Sequence, residues 1–455
     1  MNKKETKISK EIKINKKSAS KNYSNQTGIT LIALVVTIVV LLILAGVSLN
    51  AIFSENGIIK RAQDAQNKMN NAQESDLNAL NDLDKWINNQ VNGTTGGNTT
   101  GGNDNPSTTP KISTLIGKVV DKNTKAEDAY GNKITIPKGF KILEHNPTSS
   151  TGAVTYNYTN SEETGEHIPA VQDGIVIEDT QTGTAGNQFV WVPVGTIKNK
   201  NGSTNTITLG RYEFDSSTGA LKSTTPAQVA SVENCTKIVT ISKGGTDYQE
   251  LSTFREGNSA TNSTAQNATA RNLEEFISTT LANGGYYIAR FEASGTASKI
   301  ASKYNQTVLG NITQPNAAKV AREMYGEVKE NNELVYASDL VNSYAWDTAI
   351  VFIQTYSGKT DYASHNESIT TKAFTATGKN NDKYCNIWDM SGNAYEWTTE
   401  YSTSSHNSNF YPCVRRGGYY DTDSGVAINY TSARSYNNTT YSLSIVSLRS
   451  LLYVK

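Results

Sequence analysis

One uncharged stretch near the N-terminus limits most strongly what this 455-residue chain can fold into. From Ile29 to Leu49 there is no charged residue, and only three side chains carry a hydroxyl group. A helix of about 20 residues crosses about 30 Å of hydrocarbon, and in lipid a single isolated segment satisfies its backbone only as a helix. The stretch therefore predicts one membrane-spanning helix, with a buried core helix as the alternative.

The charge distribution predicts how this helix is oriented. Residues 1–27 hold eight lysines and two glutamates, whereas the whole chain balances 42 basic against 42 acidic residues. A basic flank favours the cytoplasmic side, so the N-terminus is expected in the cytoplasm and the bulk of the chain outside the cell. Without net positive charge, a nucleic-acid partner is not expected.

The residues around Gly28 resemble a known leader. The lysine-rich flank, Gly28 and the run "ITLIALVV" are similar to type IV prepilins, in which a dedicated peptidase cuts after a glycine and methylates the new N-terminus. The resemblance implies cleavage between Gly28 and Ile29, a prepilin peptidase and other pilins as partners, and a location at the bacterial cell membrane and surface. Ala33 departs from the glutamate usual in major pilins, which favours a minor, tip-located or simply anchored protein over an ordinary filament subunit.

The next segments predict a stem and a tether. Apolar residues recur every three to five positions from Ile59 to Ile87, which favours a continued helix whose stripe packs on its own domain or on a coiled-coil partner. Residues 92–110 are rich in Gly, Thr and Asn, without a large apolar side chain, and predict a flexible linker. The predicted organisation is a leader (1–28), a transmembrane and stem helix (29–90), a linker (91–110) and a head (111–455).

The head has the pattern of an α+β domain with long loops. The runs "QFVWVPV" (188–194) and "GGYYIARFEAS" (284–294) predict strands. Residues 268–283 and 343–356 predict helices, and the polar stretch 196–265 predicts an inserted hairpin or a mobile loop.

The run "NIWDMSGNAYEWTTE" (386–400) resembles the signature of the formylglycine-generating enzyme (sulfatase-modifying factor) family. "RRGGYY", "SARS" and "VSLRSLLY" follow in that family's order, and the resemblance covers most of residues 185–455. It implies a decorated C-type-lectin-like fold for the head. The expected fold is therefore α+β, with a long pilin-like helix and a flexible linker before a C-type-lectin-like head.

Within this signature, Gly392 predicts a backbone position closed to side chains, and Asn393 tolerates a left-handed turn. Asn393 and Glu396 offer oxygen atoms suited to calcium, which the family resemblance also implies near this turn; a purely hydrogen-bonded turn is the alternative. Arg434 and Arg449 are expected to hold buried carboxylates or carbonyls, because a guanidinium fork suits that task.

The sequence argues against catalysis. The family's oxidative chemistry uses copper-binding thiolates shortly after the glycine pair, where this chain has tyrosine, aspartate and threonine. Cys413 precedes that pair, and it either pairs with Cys385 or both remain separate thiols. The four histidines show no ligand spacing. A non-enzyme is therefore expected, with an oxidative enzyme of this type or a structural minor pilin as alternatives.

The C-terminal composition predicts a contact surface instead. The last 55 residues hold eight tyrosines, eleven serines and five asparagines, a mixture typical of binding loops. The composition also matches targets of diversity-generating retroelements, which randomise adenines in such codons, or is simply that of polar loops. The predicted partner is an unidentified extracellular protein or glycan. The predicted contact residues are Tyr419, Tyr420, Asp421, Thr422, Asp423, Asn429, Tyr430, Tyr436, Asn437, Asn438 and Tyr441.

Overall fold

The computed structural model describes residues 109–157, 167–330, 333–367, 373–421 and 430–455, together with Val36 and Val39, which are helical. Apart from these two valines, the predicted leader with its Gly28–Ile29 cleavage site and the predicted stem lie outside the described residues, as do 91–108 of the linker. In the described part, no helix combines the length and apolar character needed to cross a bilayer. The chain divides into two compact units, Met1–Asp104 and Asn105–Lys455, and the second contains the head.

Strand makes up 31% and helix 14% of the structure, so sheets dominate this α+β head. In chain order the strands are β1 Thr124–Glu127, β2 Lys133–Ile136, β3 Phe140–Ile142, β4 Val176–Asp179, β5 Gln188–Pro193, β6 Gly195–Lys198, β7 Thr204–Ile207, β8 Gly210–Arg211, β9 Gln228–Val229, β10 Ile241–Lys243, β11 Thr246–Gln249, β12 Gly285–Ala289, β13 Ser294–Thr296, β14 Lys299–Ala301, β15 Glu327–Glu330, β16 Glu333–Leu340, β17 Lys383–Tyr384, β18 Ile387–Trp388, β19 Tyr395–Ser402, β20 Ser405–His406, β21 Asn409–Phe410, β22 Cys413–Arg416, β23 Ser435–Asn437, β24 Val446–Leu448 and β25 Ser450–Val454. The helices are α1 Leu273–Asn283, α2 Gln314–Glu323 and α3 Ser343–Tyr356, with 3-10 turns at Ile112–Thr114, Val171–Asp173 and Tyr362–Ser364.

A seven-stranded antiparallel sheet in the order β15-β16-β25-β12-β5-β4-β3 forms the centre of the head. Strand β5 is buried along its whole length because the sheet is covered on both faces. Its side chains alternate, so that Val190 and Val192 join one apolar cluster while Phe189 and Trp191 join the other. Both predicted strands are thus confirmed, as β5 and β12, and the structure pairs them with each other in this sheet.

Both predicted helices are confirmed, with local signals that set their ends. Asn272 caps α1 by accepting a hydrogen bond from the Glu275 amide, so the helix starts later than the pattern suggested. Gly284 ends it in the left-handed conformation, with φ of 73°. Asn342 caps α3 in the same way, through the Ala345 amide, and most of α3 is buried in the core.

A second sheet carries the C-terminal signature residues. It runs in the order β10-β11-β19-β22-β23, and β24 lies parallel to β19. The polar stretch 196–265 contributes hairpins: β6 pairs with β7, and β10–β11 extends the edge of the second sheet beside β19. The hairpin interpretation of this stretch is therefore confirmed.

Glu250, which follows β11, ties the second sheet to α3. Its buried carboxyl accepts hydrogen bonds from the Ser343 amide at 2.8 Å, the Ser343 hydroxyl at 2.7 Å and the Thr399 hydroxyl at 2.5 Å. Burial raises its pKa to about 7, against the lowering effect of these donors, and the charge of Glu400 adds to the rise. The proton on Glu250 is thus part of the folded structure near neutral pH.

This raised pKa predicts a pH-dependent stability. Because the folded state binds the proton more tightly than the unfolded chain, the stabilisation is complete below about pH 4 and is lost as the pH rises through about 7. The Glu250→Gln variant keeps an acceptor and a donor but cannot ionise. Thermal unfolding gives the free energy of unfolding of both proteins between pH 5 and pH 9. Across this range the free energy of unfolding of wild type should fall by about 3 kcal/mol more than that of the variant. Equal decreases would contradict this assignment.

Candidate functional site

A buried charge network lies beneath the C-terminal strands. Arg416, on β22, donates to Asp347 at 2.5 Å and to Glu400 at 3.3 Å. Arg434 donates to the same two carboxylates, at 2.6 Å and 2.9 Å. Arg211 adds a third guanidinium, 2.7 Å from Glu400. Burial would raise the pKa of Glu400, but Arg434, Arg211 and Arg416 outweigh it and hold that pKa at about 2. Glu400 is therefore ionised at neutral pH.

Arg449 forms a second buried anchor. Its Nε and Nη2 atoms donate to the Glu396 carboxylate at 2.8 Å and 2.6 Å, and Nη1 donates to the Ala289 carbonyl at 2.9 Å. A further bond, at 2.8 Å, reaches the Trp388 carbonyl. Both predicted arginines, Arg434 and Arg449, thus hold buried carboxylates, as expected, and Arg449 also holds carbonyls.

Two glycines bring the signature turn against the start of the C-terminal segment. Gly392 has φ of 79° and Asn393 φ of 51°, so the predicted left-handed turn is confirmed. A Cβ atom on Gly392 would lie 2.5 Å from the Glu367 carbonyl oxygen, and one on Gly417 would lie 2.8 Å from the Met390 carbonyl oxygen. The Gly392 amide donates to the Gly417 carbonyl at 2.8 Å. This contact sets where the following tyrosines lie.

The predicted calcium residues already have protein partners. The Asn393 side-chain oxygen accepts from the Thr375 amide at 3.0 Å, and its amide group donates to Glu292 at 2.5 Å. Both oxygens of Glu396 accept from Arg449. Across the described residues, no group of three or more His, Cys, Asp or Glu side chains is arranged to hold a metal ion. Calcium binding stays a prediction, and these contacts favour the hydrogen-bonded turn.

Three of the predicted contact residues belong to one aromatic cluster that also contains a cation. The Arg415 guanidinium lies 4.1 Å from the ring centre of Tyr395 and 5.1 Å from that of Tyr441, and it donates to the Tyr441 hydroxyl at 3.1 Å. Tyr419 packs on Tyr395 with ring centres 5.1 Å apart, and Tyr420 follows at 5.4 Å. We call the partly exposed Tyr419, Tyr420 and Tyr441, with Arg415 and Tyr395 beneath them, the tyrosine face.

The other predicted contact residues lie elsewhere. Tyr436 is exposed but opposes Val414, so its side chain is on the other side of the sheet from Arg415. Tyr430 is buried, with the Lys243 amine 4.8 Å from its ring centre. Asn437 and Asn438 are half-buried on and after β23, and Asp421 is half-buried at the edge of the described chain. Thr422, Asp423 and Asn429 lie outside the described residues.

Several residues near the site had no place in the sequence prediction. Arg415 and Tyr395 support the tyrosine face, and strand alternation along "CVRR" could have separated Arg415 from the inward-facing Arg416. Elsewhere in the head, the rings of His145 and His167 stack with centres 4.2 Å apart, a contact that their spacing in the sequence did not predict.

The cysteine thiols form no disulfide among the described residues. All three cysteines are free, so the pairing of Cys385 with Cys413 is wrong and the separate thiols are confirmed. Burial raises the pKa of Cys413 well above its usual value, and burial also raises that of Cys385. Both are therefore neutral thiols at physiological pH, whereas a thiolate is the reactive and metal-binding form.

Comparison with known proteins does not assign a family. No protein-family model matches the chain, and no curated protein matches it. Similar solved structures include "Crystal Structure of CarF", with 13% identity and a TM-score of 0.27 over 38% of this chain and 87% of that one. Two Major Tropism Determinant variants, U1 and P3c, share 12% identity, with TM-scores of 0.23 and 0.24 over 76% of this chain and 98% of theirs. With TM-scores this low, these likenesses decide neither fold nor function.

Substitution of Gly392 should reveal the close approach at the signature turn. Gly392→Ala adds left-handed strain and a clash with the Glu367 carbonyl, whereas Gly358→Ala, at φ of 78°, adds the strain with no described atom within 4 Å. We expect Gly392→Ala to lower the free energy of unfolding by about 1–3 kcal/mol more than Gly358→Ala does. Chemical denaturation measures the difference, and equal losses would show that the turn tolerates a side chain.

Proposed function

We propose that this chain is a non-catalytic, surface-displayed ligand-binding protein of adhesin type, and that its tyrosine face contacts an extracellular protein or glycan. The observation that carries the proposal is one aromatic cluster: Arg415 contacts Tyr441 and Tyr395, and Tyr419 and Tyr420 join the cluster through Tyr395. These residues are separated by up to 26 positions in the chain (441 − 415), and the fold gathers them into one partly exposed aromatic patch.

The chemistry of this patch suits recognition. Tyrosine supplies a large contact area with little loss of side-chain entropy, and tyrosine and arginine are enriched among residues that dominate binding energy. The support beneath is rigid, because Arg415 is itself held by Ser435 at 3.2 Å and by the Tyr441 hydroxyl. A patch that is already ordered before contact loses less entropy on binding.

The head is proposed to have the C-type-lectin-like fold that its signature residues imply. Four framework residues support this. Arg416, Arg434 and Arg449 form buried hydrogen bonds, and Gly417 lies too close to the Met390 carbonyl oxygen for a side chain. The residues that follow the glycine pair carry rings and carboxyl groups in place of thiols. Binding rather than oxidation is the function this arrangement favours.

Display at the cell surface is proposed from the N-terminal sequence. Processing between Gly28 and Ile29 by a prepilin peptidase would leave a mature helix in the cytoplasmic membrane of a bacterium, with the head outside. Ala33 favours an anchored or minor, tip-located protein, and other pilins are partners only in the second case.

Sequence diversification of the C-terminal loops is the finer proposal. Tyr419, Tyr420, Tyr436 and Tyr441 are at least partly exposed and belong to the residue set that adenine randomisation yields. The coding DNA tests this version: a near-copy of the region with adenines at these positions, beside a reverse transcriptase gene, supports it. A locus with neither would remove diversification but not the binding proposal.

Removing two rings of the tyrosine face should abolish recognition. The full-length protein is screened on glycan and protein arrays as wild type and as Tyr419→Ala/Tyr420→Ala, and we expect at least a tenfold loss of affinity because both rings leave the patch. Tyr130→Ala is the control, since this half-buried tyrosine lies in the turn between β1 and β2, which form a separate two-stranded sheet. Circular dichroism checks that each variant is folded.

Three outcomes would contradict the proposal. One is the absence of any ligand for the wild-type protein, and another is a ligand that binds the double variant as tightly as wild type. A loss of affinity that is equal in Tyr130→Ala would also count against a local binding face.

A further inference from the structure

A second, separate site surrounds Lys383 on the short β17–β18 hairpin. The hairpin borders a cavity of about 200 Å³, which is also lined by Thr155, Gln172, Tyr356 and Tyr384. The Lys383 amine donates to the Thr155 hydroxyl at 2.8 Å and lies 5.5 Å from the ring centre of Trp388. It forms no salt bridge with any described carboxylate. A half-buried amine that faces a cavity without a counter-ion is an unusual state for a lysine.

The charges around Lys383 favour its neutral form. Burial, followed by the charge of the nearby Arg290 guanidinium, lowers its pKa to about 8. His145 is also close enough for Lys383 to lower the imidazole pKa. Asp173 lines the cavity, but its Oδ1 atom accepts from the Asn157 amide at 2.8 Å. Cys385 and Tyr384 add no charge near neutral pH, because burial raises the pKa of each.

Another residue that lines the cavity carries an acceptor without a donor among the described residues. Gln172 is 1% exposed and donates through Nε2 to the Lys198 carbonyl at 2.5 Å, while its Oε1 atom has no hydrogen-bond partner among the described residues. A buried acceptor without a donor destabilises the folded state. A ligand hydroxyl in the cavity would supply that donor.

The other walls are rigid, so the cavity is preformed. The Asn386 side chain accepts from the Thr155 amide at 3.0 Å and donates to the Thr155 carbonyl at 2.9 Å and the Gly174 carbonyl at 3.0 Å. A Cβ atom on Gly174 would lie 1.9 Å from the Cys385 carbonyl oxygen, so only glycine allows this approach. These contacts hold the hairpin and the Thr155 segment together around the amine.

We propose that Lys383 is a carbonyl-capture site that forms an imine with small hydroxylated aldehydes, the open-chain form of reducing sugars. The neutral amine attacks the carbonyl carbon, and the resulting carbinolamine loses water to give the C=N bond. The aldehyde oxygen leaves as water, and no electron transfer is needed. A lysine that is desolvated beside another cation is suited to this chemistry, and the Gln172 oxygen selects ligands that carry a hydroxyl. The site is independent of the tyrosine face.

The test labels the full-length protein with glyceraldehyde in the presence of sodium cyanoborohydride, which reduces the imine to a stable secondary amine. Peptide mass spectrometry then compares the labelling rate at Lys383 with that at the exposed Lys118 and Lys125 in the same sample. At pH 7.5 we expect labelling at Lys383 to be at least about tenfold faster, because a larger fraction of its amine is neutral. The labelling rate at Lys383 should rise with pH and reach half of its maximum near pH 8.

The variant Gln172→Leu tests selectivity without touching the amine. In wild type, glyceraldehyde should label Lys383 several-fold faster than propanal, which lacks hydroxyl groups. The variant should lose that preference and keep its propanal rate. Labelling at Lys383 that is no faster than at Lys118 would overturn the capture site. A wild-type protein that does not distinguish the two aldehydes would overturn the hydroxyl-selective part of the proposal. Both comparisons within wild type stand even if the variant fails to fold.

Discussion

The ion network of Asp347 and Glu400 with three arginines is the interaction on which the C-terminal half of the head depends. It joins α3, β19 and β22 with the Arg434 segment, and it is closed to solvent. Buried ion pairs add little net stability, but removing one partner leaves the other charge buried and unpaired, which destabilises the fold by about 3–5 kcal/mol. The network therefore acts as a specificity device: alternative packings of these strands would leave a charge unpaired.

The tyrosine face follows from this constraint. Consecutive residues of a strand point to opposite sides of the sheet, so fixing Arg416 in the ion network places Arg415 on the other face of β22, where it is also buried. Arg415 then orders Tyr395 and Tyr441 through its guanidinium plane, and Tyr419 and Tyr420 pack next to them. The same framework that could support reactive groups after Gly417 here supports the aromatic residues of the proposed binding face. A rigid interior and an adaptable polar rim are what recognition of a macromolecule requires.

Local signals in the sequence predicted part of this structure. Patterns in the sequence predicted strands β5 and β12, helices α1 and α3, and the turn at Gly392. They also predicted that Arg434 and Arg449 hold buried groups. The grouping of Tyr419 with Tyr441, and the separation of Tyr430 and Tyr436 from them, depends on register between strands that no local pattern encodes. The cavity at Lys383 likewise depends on Thr155, Gln172 and the hairpin meeting across more than 200 residues (383 − 155).

Amide hydrogen exchange on the full-length protein, with and without a ligand recovered from the arrays, tests the central claim most directly. Bound ligand should slow amide exchange around Tyr419 to Asp421 and around Asn438 to Tyr441. Exchange in the β1–β2 hairpin and around the Lys383 cavity should not change. Slowed exchange at those other sites, with the tyrosine face unaffected, would contradict the claim that this face is where the protein binds.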